Sequence, residues 1–79
     1  MSHVPHELHD EFPNDTQRIH DLKMSNAHFA KLADRYHGVN RDIHRVEAGV
    51  QAMSDESLES LKKQRLSLKD EIASMLVKV

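Results

Sequence analysis

Leu22, Ser25, Phe29, Leu32, Tyr36, Val39, Ile43, Val46 and Val50 follow one another at alternating steps of three and four residues, and Ser25 is the sole polar member. Such a row is a sustained heptad a/d pattern, the period of a helix packed along a partner helix. A half-buried strand would need alternation at period two, which is absent. The spacing predicts one long helix from a cap at Asn14 or Asp15 to about residue 50. Gly38 falls inside it, away from the apolar row, at a cost of about 1 kcal/mol relative to alanine.

A second row, Leu58, Leu61, Arg65, Leu68, Ile72, Met75 and Val79, repeats the same steps. Between the rows, Gly49 suits a left-handed helix end, and Ser54 followed by Asp55 and Glu56 reads as a cap with an acidic first turn. A turn is therefore expected at about residues 50–54 and a second helix at about 55–77. Helices joined by so short a link lie antiparallel as neighbours. Setting Val46 opposite Leu58 places Ile43 on Leu61, Val39 on Arg65, Tyr36 on Leu68, Leu32 on Ile72, Phe29 on Met75 and Ser25 on Val79. The expected fold is all-α: an antiparallel two-helix, coiled-coil-like hairpin over residues 14–79, with an N-terminal appendage over residues 1–13.

That appendage has two readings. With Pro5 in a first turn, Val4, Leu8 and Phe12 would share one face of a short helix ending before Pro13; a disordered tail is the rival. The long helix would span about 54 Å against about 35 Å for its partner. Residues 14–24 would then overhang, leaving Ile19, Leu22 and Met24 in need of a cover. The candidates are the segment carrying Leu8 and Phe12, a second copy of the chain, or a different protein. Leu8, Phe12, Ile19, Leu22 and Met24 form the expected interaction surface. Because a two-helix core is thin, the expected partner is a second copy, as a dimer or tetramer, or an unidentified protein.

With 79 residues the chain makes one small domain, and the lack of cysteine excludes a disulfide framework, a zinc-thiolate site and a cysteine nucleophile. Formal charge is −2, so no global field points to nucleic acid or an anionic membrane. No apolar run reaches the roughly 18–20 residues of a membrane span. The first ten residues have neither the basic segment nor the apolar stretch of a secretory signal, and the expected location is the cytoplasm.

Seven histidines raise the question of metal. His3, His6 and His9 recur every three residues, but without cysteine or a His-Glu-X-X-His arrangement they read as polar surface, and no metal or cofactor is expected. His37 and His44 lie among Arg41 and Arg45, a poor setting for a catalytic base. The acidic pairs at 10/11, 55/56 and 70/71 are adjacent, so on helices they diverge by about 100° and make no acid/base pair. No enzymatic activity is expected. Arg65 interrupts an apolar row, where it must lay its stem along Val39 and reach solvent or pair with an acid, Asp42, which would set the register. Lys62, Lys63, Arg65 and Lys69 crowd one side of the last helix, and weak RNA or DNA binding through them is the alternative function. Glu59, Asp70 and Glu71 interleave with these bases, which weakens it.

Several segments resemble a known family: Asp10-Glu11-Phe12-Pro13, Ile19-His20-Asp21-Leu22-Lys23, Ala27-His28-Phe29-Ala30-Lys31-Leu32, Val39-Asn40-Arg41-Asp42-Ile43-His44-Arg45-Val46-Glu47, Ser54-Asp55-Glu56, and most distinctively Leu61-Lys62-Lys63-Gln64-Arg65-Leu66-Ser67-Leu68-Lys69-Asp70-Glu71-Ile72. Together they resemble the YdcH-like family, short bacterial proteins classed as a domain of unknown function. The resemblance implies a small cytosolic helical protein from a bacterium, and no activity or catalytic residue. Ala33 departs from it, standing where members often carry a larger apolar side chain, which argues against this position closing the core.

Overall fold

The computed structural model describes residues 6–77; the expectations resting on His3, Val4, Pro5 and Val79 lie outside them. All regular structure among the described residues is helical. Helix α1 is Leu8–Glu11, followed by a 3₁₀ turn at Pro13–Asp15, α2 at Thr16–Ser25, α3 at Ala27–Glu47 and α4 at Asp55–Val77.

The single helix expected over residues 14–50 is therefore not continuous. Its first turn is 3₁₀, begun by Pro13, and the chain breaks again at Asn26, which is extended at φ −132°, ψ 107°. The Asn26 amide closes the α2 ladder on the Leu22 carbonyl at 2.8 Å, while its side-chain oxygen accepts from the Phe29 amide at 3.0 Å. One residue thus ends α2 and caps α3, the role short polar side chains play best at a helix start. Ser25 donates back to the Asp21 carbonyl at 2.8 Å, a bond that bends helices.

The far end of α3 closes as a Schellman motif. Val50 N–H donates to the Arg45 carbonyl at 2.9 Å and Gly49 N–H to that of Val46 at 3.1 Å. Gly49 sits at φ 78°, where a side chain is strained. At the start of α4 the Ser54 hydroxyl accepts from the Ser57 amide at 3.1 Å.

Contacts between α3 and α4 run their length: Lys62 with Glu47 near the loop at 3.4 Å, Arg65 with Asn40 in the middle at 2.9 Å, and His28 with Glu71 beyond at 3.6 Å. The main core joins Leu8, Ile19, Phe29, Leu32, Ala33, Tyr36, Leu68, Ile72 and Leu76, with Phe12, Leu22, Val39 and Met75 packed against it. Ile43 is fully buried but stands apart from that cluster. The uncovered overhang expected of residues 14–24 does not exist, because the break at Asn26 lets α2 lie back against α3 and bury Ile19. Ala33, expected to contribute little, is buried in the same core; a small side chain gives α2 and the residues before it room to approach.

Candidate interaction surface

Each candidate residue has a definite place. Leu8 and Ile19 are buried, Phe12 and Leu22 are half-buried, and Met24 is 78% exposed. These five do not form one open surface; the first four help to seal the chain's own core. We call residues 6–25 the arm.

Polar contacts fasten the arm as well. The Tyr36 hydroxyl donates to the His6 carbonyl. Glu7 pairs with His37 at 3.1 Å. Glu11 meets His6 at 3.1 Å and Lys69 at 3.4 Å through the same carboxylate oxygen. His6 is held at φ 64°, a left-handed conformation that costs an L-residue about 1–2 kcal/mol. Partial burial pushes the Glu11 carboxyl up, but the His6 hydrogen bond and the Lys69 charge outweigh it and hold the group below its ordinary value. Burial, reinforced by the Glu11 charge, raises the Tyr36 phenol to about 12, against a smaller opposing effect of Arg65. The phenol therefore stays a neutral donor at any ordinary pH.

Arg65 does reach across to α3, but its partner is Asn40 rather than Asp42. Asn40 is 1% exposed, whereas Asp42 is exposed and stands two residues further round the helix, about 200° away. An amide oxygen can accept from a guanidinium without a second charge to desolvate, which favours it at a buried position. The pair occupies the layer between Tyr36 and Ile43 on α3 and between Leu61 and Leu68 on α4, and so separates Ile43 from the main core.

Three of the four basic residues considered for nucleic acid are engaged: Lys62 with Glu47, Lys69 with Glu11 and Arg65 with Asn40. Lys63 is exposed. A phosphate would have to displace these partners, so the patch is not preassembled. Glu7, His9, His20, Asp34 and His37 line a groove of about 400 Å³ between the arm and α3, yet among the described residues no three histidine or carboxylate side chains are grouped to hold a metal ion. No helix among the described residues is long and apolar enough to cross a membrane.

The loop-proximal half of the α3–α4 pair lies beyond the arm's reach. Here Val46, Met53, Leu58 and Leu61 are only half-buried and Val50 is 71% exposed. The heptad rows predicted Val46, Val50, Leu58 and Leu61 as core, and Met53 falls in the expected turn; their exposure follows from the arm, which adds a third layer at the opposite end only.

Such an arrangement, in which polar groups fasten helices to one another, defines a small all-helical packing domain. A family model described as "Protein of unknown function (DUF465)" matches residues 29–76, and the chain belongs to that family, with which the YdcH-like resemblance agrees. The matched stretch runs from Phe29 in α3 to Leu76 in α4 and leaves the arm outside. No curated protein and no solved structure matches the chain.

Proposed function

We propose that this chain is a structural or protein-interaction module, built on α3 and α4 as an antiparallel hairpin and acting by helix packing rather than by chemistry. The three cross-helix contacts support the antiparallel pairing, since residues late in α3 meet residues early in α4 and the reverse. One observation carries the functional reading: the loop-proximal apolar rows are left half-bare, with Val50 as the most exposed member. A row of this kind is stabilised when another helix surface covers it, and self-association is the simplest way to supply one.

Sedimentation across a wide concentration range tests this. The parent is expected to exceed its monomer mass of 9.1 kDa as concentration rises, and Val50→Glu, at a site open enough to leave the fold intact, is expected to weaken that rise at least tenfold in concentration. A parent that stays monomeric throughout would refute the proposal.

A further inference from the structure

The joint between α2 and α3 carries two contradictory instructions. Leu22, Ser25, Phe29 and Leu32 keep the heptad steps straight through it, and neither glycine nor proline lies between Thr16 and Glu47 except Gly38. Nothing in the residue types forbids one continuous helix there. The break also leaves helical hydrogen bonds unmade. The regular ladder stops at Asn26 N–H to Leu22 C=O and resumes at Ala30 N–H to Asn26 C=O. The amides of Ala27, His28 and Phe29 fall between, and the Asn26 side chain supplies a substitute for Phe29 alone. The bend is therefore held by one capping bond, by the Ser25 bond back to Asp21 and by the docking of the arm.

What the arm makes on docking does not depend on which chain it comes from. Leu8 and Ile19 enter a core otherwise made by α3 and α4, and Tyr36–His6, His37–Glu7 and Lys69–Glu11 reach across the same boundary. If Asn26 turned helical, residues 16–47 would form a rod of about 48 Å, longer than the 40 Å greatest extent of the closed chain. The arm would have to leave its own helix pair, baring Leu8 and Ile19 on one side and Ala33 and Tyr36 on the other. A second copy in the same state offers the complementary half of every lost contact.

We propose that two copies of this chain exchange arms, each straightening at Asn26 so that its residues 6–25 dock on the α3–α4 pair of the other. The partner is a second copy, the exchange is two-fold symmetric, and each arm contact is re-formed between chains while the interrupted ladder is completed. The exchange uses the end of the molecule opposite Val50. It therefore goes beyond the loop-proximal reading and stands or falls separately from it.

The absence of native cysteine makes cross-linking a direct test. Glu11→Cys and Lys69→Cys variants are prepared separately in the Val50→Glu background, mixed at high concentration, incubated and treated with a flexible bismaleimide, because the contact joins the tips of two long side chains and a direct disulfide needs Cβ atoms about 3.5–4.5 Å apart. Exchange predicts a covalent dimer joining one variant to the other; Glu7→Cys with His37→Cys gives a second pair should the first disturb folding. Two hinge substitutions must move the yield in opposite directions. Asn26→Ala in both variants removes the cap from both hinges and favours the helix, raising the exchange equilibrium by roughly fivefold per hinge, the factor an ordinary N-cap represents, and the cross-linked yield with it. Ala27→Pro suits the first position of α3 and the extended Asn26 before it, but is rejected inside a continuous helix. It should reduce the yield to that of random collision. If both pairs link only within one chain when the two cysteines share it, or if Ala27→Pro leaves the interchain yield unchanged, arm exchange is wrong, whatever the mass of the parent in solution.

Discussion

Asn40 and Arg65 offer the most exacting check on how the two long helices are matched. Asn40→Leu takes the acceptor from a guanidinium bonded at 2.9 Å. Because Arg65 is only half-buried, it can turn its head toward water, so the cost should lie near the low end for a charged hydrogen bond, about 1.5–2 kcal/mol. Arg65→Leu removes a donor from a side chain that is 1% exposed, and about 1–3 kcal/mol is expected for that. In the double variant neither polar group is left without the other, and two leucines fill a layer between Ile43 and the main core. Its stability should return to within about 1 kcal/mol of the parent or exceed it, as buried polar pairs replaced by apolar ones commonly do. Urea unfolding of all four proteins gives the coupling, expected at about 2 kcal/mol or more. For a chain of this size each kcal/mol corresponds to about 4–8 °C in Tm, so the single variants should be plainly separable from the double. Additive single effects would show that the two side chains do not depend on each other and would refute the reasoning. A further consequence concerns uniqueness rather than stability. With leucine at both positions the α4 row becomes wholly apolar and no polar pair fixes its match to α3, so a slip by one heptad sacrifices little, and amide resonances of α4 should broaden or double.

Other outcomes follow from single sites. Leu68→Ala, in the main core, should lower stability by about 2–4 kcal/mol in denaturant unfolding. Gly49→Ala places a side chain at φ 78° and should cost about 1–2 kcal/mol, while Ser54→Ala should cost about 1 kcal/mol by removing the cap of α4; if thermal unfolding shows either to be neutral, the described turn is not what joins the helices. Glu11 is held below its ordinary carboxyl value of 4.5, so its stabilising contribution is complete above that value and lost as pH falls through the lower folded one; protection of arm amides from hydrogen exchange should fall over that interval, and Glu11→Gln should flatten the dependence. The reverse sign holds for Tyr36, raised from 10.0 to about 12. Its contribution is complete below 10.0 and lost as pH climbs toward about 12, and since it is the only tyrosine, ultraviolet absorbance of tyrosinate reports its titration directly.

The sequence made the helical class legible, because rows stepping by three and four over so many residues admit no strand. The turn was nearly as open to reading: Gly49 and Ser54 are residue types whose backbone or side chain meets a specific need at a helix end. The arm was harder. Glu7 to His37, Tyr36 to His6 and Glu11 to Lys69 join positions separated by 30, 30 and 58 residues, and no local pattern announces such a pairing. Arg65 was recognisable as an intruder in its row, but its partner was sought among acids, whereas a buried site favours the neutral oxygen of Asn40. The break at Asn26 is the most instructive difference. Ser25 marked the one polar step in the row, and Asn26 is of a residue type that caps helices; the expected helix followed the heptad steps through both. Periodicity reports which residues can share a face when the helix is straight. It is silent on whether the chain gains more by staying straight or by folding back over Ala33 to bury Ile19. That choice is a balance between three ladder amides with one cap on one side and a docked arm on the other, and the arm's contacts can be supplied by either of two copies. A continuous heptad row across a bent joint is thus no defect in the pattern. It is what a chain would carry if both its closed and its exchanged forms had to be helical.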